Sequence, residues 1–193
     1  PLDETFAALA EELAAGRIGA IGVSNFSAWQ VMKAEGAARR MGIGITMLQP
    51  MYNLVKRQAE VEILSMALSE GFAVVPYSPL GGGLLSGKYA SGDTGRLTDD
   101  PMYQARYAPG WMHGAARGLS AIAAELGTHP ATLAVAWAAR HPGVTAPIIS
   151  ARSAQQLAPS LAALTFAVDD ALYARLSALS PAPPPATDRL EEA

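Results

Sequence analysis

The sequence contains no cysteine among its 193 residues. This absence excludes disulfide bonds, thiolate nucleophiles and metal sites built from thiolates. The sequence also lacks a run of about 20 apolar residues, the length needed to cross a bilayer, and no signal peptide opens it. We therefore expect a cytoplasmic protein that makes no contact with membranes.

Charged residues are scarce in the chain. They make up 16% of it, and 14 Lys and Arg against 17 Asp and Glu leave a net charge of −3. This mild acidity argues against binding to nucleic acid, which requires concentrated positive charge. Hydrophobic residues make up 50% of the chain, enough to bury the core of one ordinary domain. We expect that domain over residues 1–180, followed by a disordered, proline-rich tail over residues 181–193 in which only Leu190 could dock.

Four short apolar runs alternate with segments of helical periodicity. The predicted strands are residues 18–23, 43–48, 72–75 and 144–149. Continuous apolar runs of this length between helices are typical of a parallel sheet covered by helices. Two α/β architectures fit four such units: an open doubly wound sheet, or half of an eight-stranded βα barrel, which needs about 250 residues when complete.

The segments between the strands are interpreted by the same periodicity. Residue Ser27 is predicted to cap the helix that follows the first strand. A segment rich in Gly, Pro and Asp follows the third strand, and it is interpreted as a loop that forms a functional lid. The predicted helices include residues 1–15, 58–69, 154–164 and 169–179, and the predicted loop is residues 80–114.

Polar side chains follow each predicted strand, at the end where α/β proteins place their ligands. Ser24 and Asn25 follow the first strand, and Gln49 follows the second. A side-chain amide both donates and accepts hydrogen bonds, which suits recognition of a planar carboxamide. The alternative is structural, because Asn25 and Ser27 could simply form a turn and a helix cap.

The third strand leads to an aromatic residue and a glycine-rich stretch. Tyr77 could stack on a flat heterocycle, or it could pack in the core. Residues 82–88 fit most of a phosphate-binding P-loop, yet Tyr89 stands where that motif needs Ser or Thr to hold magnesium. We therefore disfavour an NTPase, although glycine N–H groups beside Lys88 still suit a phosphate.

Arg152 follows the fourth strand and precedes a predicted helix. An Arg at a helix start is suited to binding an anion, and the alternative is a solvated side chain. The three histidines and the acidic residues show no metal-ligand spacing, no Ser lies in a nucleophile elbow, and the dinucleotide fingerprint is absent. The sequence thus predicts no metal site.

Five motifs together resemble the aldo-keto reductase family in order and spacing. They are GVSNF at 22–26, LQPMYN at 48–53, PYSPL at 76–80, GLLSGKY at 83–89 and IISAR at 148–152, with QQL at 155–157 behind the last. The resemblance implies a (β/α)8 TIM barrel, of which this chain would supply about strands five to eight. It also implies NADPH bound across the carboxyl-terminal mouth of the barrel, a small carbonyl substrate, and hydride transfer to that carbonyl.

The resemblance assigns cofactor roles to residues of this sequence. The nicotinamide carboxamide would be held by Ser24, Asn25 and Gln49, and Tyr77 would stack on the ring. The path of the pyrophosphate and ribose would be lined by Ser78, Leu80, Gly82, Leu84 and Lys88, and the adenosine 2′-phosphate would lie near Arg152 and Gln156. Pro159 and Ser160 stand where the family commonly has Glu and Asn, and Ser150 replaces a usual Gly, so NADH is left open as an alternative cofactor.

The resemblance assigns no catalytic residue to this chain. The catalytic Asp, Tyr, Lys and His of the family lie on strands two to four, and Tyr77 matches the stacking position instead. We therefore expect the chain alone to be inactive, and either to aggregate, to self-associate through open strand edges, or to depend on an N-terminal half as partner. A second hypothesis is a nucleotide-sensing subunit on the same fold, similar to the channel-associated β subunits.

Overall fold

A computed structural model describes residues 1–187. In its first half, three short strands alternate with helices, and its second half is helical. The first half contains α1 (Leu2–Ala14), β1 (Gly22–Ser24), α2 (Ala28–Arg40), β2 (Met47–Gln49), α3 (Ile63–Glu70) and β3 (Ala73–Val74). The second half contains α4 (Arg96–Asp99), α5 (Pro101–Arg106), α6 (Gly110–Glu125), α7 (Pro130–Arg140), α8 (Ala154–Leu161) and α9 (Asp170–Ser177). Short 3-10 helices lie at Gln58–Glu60, Gly81–Ser86, Lys88–Ser91 and Ala162–Leu164.

The three strands form one parallel sheet in the order β1-β2-β3. Val23 pairs with Leu48, and Leu48 pairs with Val74. Leu48 and Val74 are buried beneath the helices, whereas their neighbour Met47 is 39% exposed on the other face. Alternation of this kind places successive side chains on opposite faces of the sheet. The predicted parallel sheet with a helical cover is therefore confirmed, with strands shorter than the apolar runs.

The predicted fourth strand, residues 144–149, is not a strand. This segment runs beside β3 and is held by hydrogen bonds from Thr145 N to Val74 O (2.8 Å) and from Ile148 N to Pro76 O (2.8 Å). The Val74 N–H donates to the Thr145 side-chain oxygen at 3.0 Å instead of to a backbone carbonyl. Pro147, in the middle of the segment, has no N–H to donate. The ladder is therefore incomplete, although the segment occupies the position of the next strand.

The core contains Leu48 and Val74 of the sheet together with buried side chains of α2, α3, α6 and α7. Helix α7 is buried over nearly all of its surface and carries Trp137, the largest fully buried side chain. A helix that is apolar all round is typical of the interior of a domain. Glu35 in α2, a buried carboxylate, accepts hydrogen bonds from Ile45 N (2.8 Å) and from Arg39 (2.7 Å). Its buried charge is therefore compensated.

Residues 80–114, predicted to be a loop, are mostly helical, so this prediction was wrong. The segment contains two 3-10 helices, α4, α5 and the start of α6. Asp100 caps α5 by accepting a hydrogen bond from Met102 N at 2.9 Å, and Pro101 occupies the first helical position. Tyr107, at the end of α5, is only 1% exposed. These local signals and one buried aromatic side chain order a segment whose composition indicated a loop.

Two other helix predictions also need correction. The helix predicted over residues 58–69 is split into the 3-10 helix Gln58–Glu60 and α3. The helix predicted over 154–164 consists of α8 followed by the 3-10 helix Ala162–Leu164. Ser27 is the N-cap residue of α2, as predicted, and its N–H donates to Gln30 Oε1 at 2.9 Å. Residues 181–187 form neither helix nor strand, and Leu190 lies outside the described residues. Within residues 1–187, no helix is long and apolar enough to cross a membrane.

Candidate functional site

The ends of the three strands are joined by side-chain hydrogen bonds. The Tyr77 hydroxyl, after β3, donates to Asn25 Oδ1, after β1, at 2.8 Å. The Ser24 hydroxyl donates to the backbone carbonyl of Gln49, at the end of β2, at 2.9 Å. Polar groups that are separated by 25 to 52 positions in the sequence therefore meet on one rim, where parallel strands present their carboxyl ends.

Two of the predicted site residues have an unusual backbone conformation. Asn25 has a φ of 59° and Ser78 a φ of 58°, and these are the only non-glycine residues in the described chain with positive φ. The left-handed region disfavours residues with a Cβ, so neighbouring groups must hold them there. The Asn53 side chain donates to Ser78 O at 2.9 Å, and Gly81 N donates to the same carbonyl at 2.9 Å. The two non-glycine residues with a left-handed backbone therefore both lie at the rim.

A cavity of about 710 Å³ lies beside this rim. Its walls come from the turn after β3, the start of α4, residues 148–152 and the first turns of α8. The predicted site residues that line it are Tyr77, Ser78, Leu80, Gly82, Lys88, Arg152 and Gln156. Those that do not are Ser24, Asn25, Gln49 and Leu84; the Leu84 side chain is 3% exposed and packs in the core.

Glycine backbone forms part of the cavity wall. Gly82 has a φ of 66° and Gly83 a φ of 96°. A Cβ on Gly82 would lie 2.7 Å from the Tyr103 ring, and one on Gly83 would lie 2.9 Å from the Lys88 side chain. Only glycine therefore fits these two positions, and the wall presents bare backbone to the cavity. Such a surface allows close approach of a phosphate group.

Lys88 supplies positive charge at the same wall. Its ammonium donates to Thr94 O at 3.1 Å and lies 4.7 Å from the centre of the Tyr89 ring. The Tyr89 hydroxyl in turn donates to Gly82 O at 3.2 Å and accepts from Leu97 N at 3.1 Å. Tyr89 therefore ties the glycine turn to α4. A four-residue 3-10 helix, Lys88–Ser91, follows the glycine turn where a P-loop would continue into a long helix.

Arg152 and Gln156 form the opposite part of the wall. The backbone N–H of Arg152 donates to Gln156 Oε1 at 3.2 Å, and Ser153 caps α8 by accepting from Gln156 N at 3.3 Å. Both side chains are exposed. Arg152 therefore stands just before the start of α8, where the partial charge of the helix also favours an anion.

The structure adds lining residues that the sequence interpretation missed. They are Asp93, Thr94, Arg96, Tyr103 and His129, together with residues on either side of those predicted. Arg96 donates to the Tyr103 hydroxyl at 3.3 Å, and Asp93 is the one acidic residue in the lining. With Lys88 and Arg152, the lining thus carries three cationic side chains and one anionic one, which favours an anionic ligand. The signal that the sequence interpretation missed is the Asp100–Pro101 pair, which begins α5 in the segment predicted to be a loop.

No group of three or more His, Asp or Glu side chains in residues 1–187 is arranged to hold a metal ion. Burial raises the pKa of Tyr107 and of Tyr52 above the ordinary value of 10.0. The rim and the cavity wall combine an aromatic ring, amides, bare glycine backbone and cations. These are groups that bind a ligand.

Comparison with known proteins supports this picture at the level of the family. The family model described as Aldo/keto reductase family matches residues 1–181. The chain is 34% identical to "Uncharacterized oxidoreductase YrpG" of Bacillus subtilis (strain 168), over 95% of this chain and 55% of that protein. It is 31% identical to "Probable voltage-gated potassium channel subunit beta" of Oryza sativa subsp. japonica, over 85% of this chain and 52% of that one.

A third relative is "L-glyceraldehyde 3-phosphate reductase" of Escherichia coli (strain K12), which is 29% identical over 85% of this chain and 49% of its own length. The chain thus spans about half the length of the curated relatives it matches. The family model covers all of the residues that form the sheet, the rim and the cavity. This chain belongs to the aldo/keto reductase family.

Proposed function

We propose that this chain is the cofactor-binding half of an NADPH-dependent aldo-keto reductase, which reduces aldehydes and ketones to alcohols. The observation that carries the proposal is the 710 Å³ cavity, because seven of the eleven residues assigned to the cofactor by resemblance line it. These residues come from two separate parts of the chain, residues 77–88 and residues 152–156. Their meeting around one cavity is what a shared ligand requires.

The chemistry of the donor set fits such a cofactor. The Tyr77 ring offers a flat apolar face to a nicotinamide, and the Asn25 side chain beside it can hydrogen-bond a carboxamide. Ser24 and Gln49 extend the same polar edge. The backbone at Gly82 and the ammonium of Lys88 suit a pyrophosphate, and Ser78, Leu80 and Leu84 belong to the same turn.

The far end of the cavity favours a phosphorylated ribose. Arg152 stands just before α8 and lines the cavity, with Gln156 one turn further. A guanidinium binds a phosphate monoester more strongly than a neutral hydroxyl, so NADPH is preferred to NADH. Pro159 also lines the cavity. Its ring offers packing to the adenine and no side-chain hydrogen bond.

Bound NADPH would supply a hydride to the carbonyl carbon. The residues of this chain would hold the nicotinamide edge at Asn25 and Tyr77 and exclude water with the segment that contains α4 and α5. In this proposal, the group that protonates the carbonyl oxygen lies on an N-terminal half that completes a (β/α)8 barrel. The chain alone then binds the cofactor but does not catalyse reduction of the carbonyl.

The sheet is open in the way that such a half-barrel requires. In the part of the chain that is described, β1 pairs only with β2, so its other edge is unpaired, and Met47 is exposed on the face opposite the helices. Unpaired edges of this kind favour pairing with another strand. The proposed partner is the N-terminal half, and self-association is expected when that half is absent.

A second function is a nucleotide-sensing subunit without turnover. It is supported by the potassium channel β subunits among the relatives, since each is 31% identical over 85% of this chain. The cofactor cavity would be the same in both functions. They differ in whether a bound carbonyl is reduced.

Co-expression of the chain with the N-terminal half of a family barrel separates these functions. We expect NADPH binding, measured by fluorescence titration, and NADPH oxidation that depends on an added aldehyde. The chain alone, at the same concentration, is the control and should show no oxidation. Binding without oxidation in the joined barrel would favour the sensor, and absence of NADPH binding would refute both.

A further inference from the structure

His129 lines the cavity at the start of α7, and the cofactor assignments give it no role. It is the N-cap residue of α7, with an extended backbone (φ −97°, ψ 142°), and it is exposed. The next residue, Pro130, occupies the first position of the helix. A proline at this position favours the beginning of a helix. The chain therefore fixes where His129 meets the cavity.

The first turn of α7 contacts both of the walls that carry the cations of the cavity. On one side, a Cβ on Gly87 would lie 3.4 Å from Pro130 Cγ, so Pro130 packs against the end of the glycine turn. On the other side, the Thr132 hydroxyl donates to Pro159 O at 2.7 Å, which ties the same turn to α8. His129 therefore lies between the two walls.

One hydrogen bond determines which nitrogen of the His129 ring carries the proton. The backbone N–H of Ala131 donates to His129 Nδ1 at 3.0 Å. A ring nitrogen that accepts an N–H has no proton of its own, so the neutral ring carries its proton on Nε2. Because His129 lines the cavity, the Nε2–H group is a donor that a ligand in the cavity can reach.

The backbone donors at the start of α7 are already used within the chain. Pro130 has no N–H, Ala131 N donates to the His129 ring, and Thr132 N donates to His129 O at 2.9 Å. An anion in the cavity would have to break the helix cap to bind these backbone groups. The Nε2–H group of His129 remains available without any such change.

The hydrogen bond at Nδ1 also strengthens the donor at Nε2. The Ala131 N–H lies at the positive end of the α7 dipole, and its donation to Nδ1 draws electron density out of the ring. Hydrogen bonds that share one group in this way reinforce each other. A negatively charged oxygen gains most from such a donor. The cavity also favours an anion, because Lys88, Arg96 and Arg152 line it.

We propose that the Nε2–H group of His129 donates a hydrogen bond to a phosphate group of the bound dinucleotide. This inference rests on the proposed function, and it adds an uncharged donor to the cations Lys88 and Arg152. NADP⁺ and NADPH carry a pyrophosphate and a 2′-phosphate, and His129 lies between the walls assigned to these two groups. NAD⁺ lacks the 2′-phosphate and therefore distinguishes them.

The test uses the histidine rings themselves, because the chain contains only three, His113, His129 and His141. Long-range ¹H–¹⁵N NMR spectra of the ¹⁵N-labelled full chain show which ring nitrogen carries the proton at about pH 8, where an ordinary histidine is neutral. We expect the proton of His129 on Nε2 before any ligand is added. NADP⁺ should shift that Nε2 signal, whereas adenosine, which has no phosphate, should leave it unchanged. His141, which does not line the cavity, is the internal control.

Titration with NAD⁺ identifies the phosphate that the ring contacts. An equal shift at saturation with NAD⁺ and NADP⁺ assigns the contact to the pyrophosphate, and a shift with NADP⁺ alone assigns it to the 2′-phosphate. Both results support the inference. It is overturned by an unmoved His129 signal at saturating NADP⁺, by an equal shift with adenosine, or by a proton on Nδ1 in the chain without ligand.

Two variants separate the ligand contact from the helix cap. Serine also caps helices, so His129→Ser keeps the cap and removes the Nε2–H group. We expect its affinity for NADP⁺, measured by calorimetry, to fall about tenfold, the loss expected for one hydrogen bond to a charged group, with almost no change of the urea midpoint. His129→Ala removes the cap as well and should lower that midpoint. Equal affinity for NADP⁺ in His129→Ser and the unchanged chain would also overturn the inference.

The same titrations distinguish failure of this inference from failure of the proposed function. NADP⁺ binding with an unmoved His129 signal refutes only the role of His129. A full chain that binds no NADP⁺ refutes the proposed function and the role of His129 together.

Discussion

The buried amide of Asn53 provides a sharp test of how the rim is held. Asn53 is fully buried. Its Nδ2 donates to Ser78 O at 2.9 Å, and its Oδ1 accepts from Val55 N at 3.0 Å. Asn53→Ala removes both hydrogen bonds: the Val55 N–H loses this acceptor, and the Ser78 carbonyl keeps only the N–H of Gly81. Each such loss costs about 1–3 kcal/mol, so we expect the free energy of unfolding to fall by about 2–4 kcal/mol after partial relaxation.

Urea denaturation followed by tryptophan fluorescence measures this change. The midpoint should fall while the slope m stays constant, which indicates lost stability without a change in the denatured state. Gln58→Ala is the matched control, because Gln58 is exposed, and its effect should stay within about 0.5 kcal/mol. Asn53→Ala should also weaken NADPH binding, since Ser78 loses a group that holds its left-handed backbone. A loss of stability below about 1 kcal/mol would refute this reasoning.

Three further predictions concern the cofactor, a buried ion pair and pH. Arg152→Gln should weaken NADPH binding about tenfold and leave NADH binding unchanged, as measured by fluorescence titration. Glu60→Gln should lower the unfolding free energy by about 2–3 kcal/mol in urea, because Glu60 pairs with Arg57 at 2.9 Å and accepts from Tyr52 at 2.7 Å in a mostly buried site. Burial lowers the pKa of His141 below 6.5, so the unfolded chain takes up this proton first as the pH falls. Thermal stability should therefore decrease from about pH 7.5 to 5.5, and His141→Asn should reduce that decrease.

The strands and the rim could be predicted from local patterns. Apolar runs that end in polar residues located β1, β2 and β3, and the motifs assigned Tyr77, Lys88 and Arg152 to one site; these three residues line one cavity. The fourth run failed as a strand for a reason visible in the sequence. Pro147 cannot donate to a ladder, so apolar character alone was not sufficient.

Other features depend on contacts between distant residues. The positive φ of Ser78 results from its tertiary environment, including the hydrogen bond from Asn53, 25 positions away. The order of residues 80–114 depends on Tyr107 being buried against the core, which composition does not reveal. The Asp100–Pro101 pair was a readable helix start, but it was outweighed by the density of Gly and Asp around it.

The most direct test of the central claim is a calorimetric titration of NADP⁺ into the full chain and into Lys88→Ala. The claim is that the cavity beside Tyr77 binds the phosphates of a pyridine dinucleotide. We predict binding with one site per chain, weakened in Lys88→Ala by about 1.5–3 kcal/mol, the contribution of a charge-assisted hydrogen bond. Lys33→Ala, on an exposed face of α2, is the matched control and should bind as the unchanged chain does. Equal affinity in Lys88→Ala and the unchanged chain would contradict the claim.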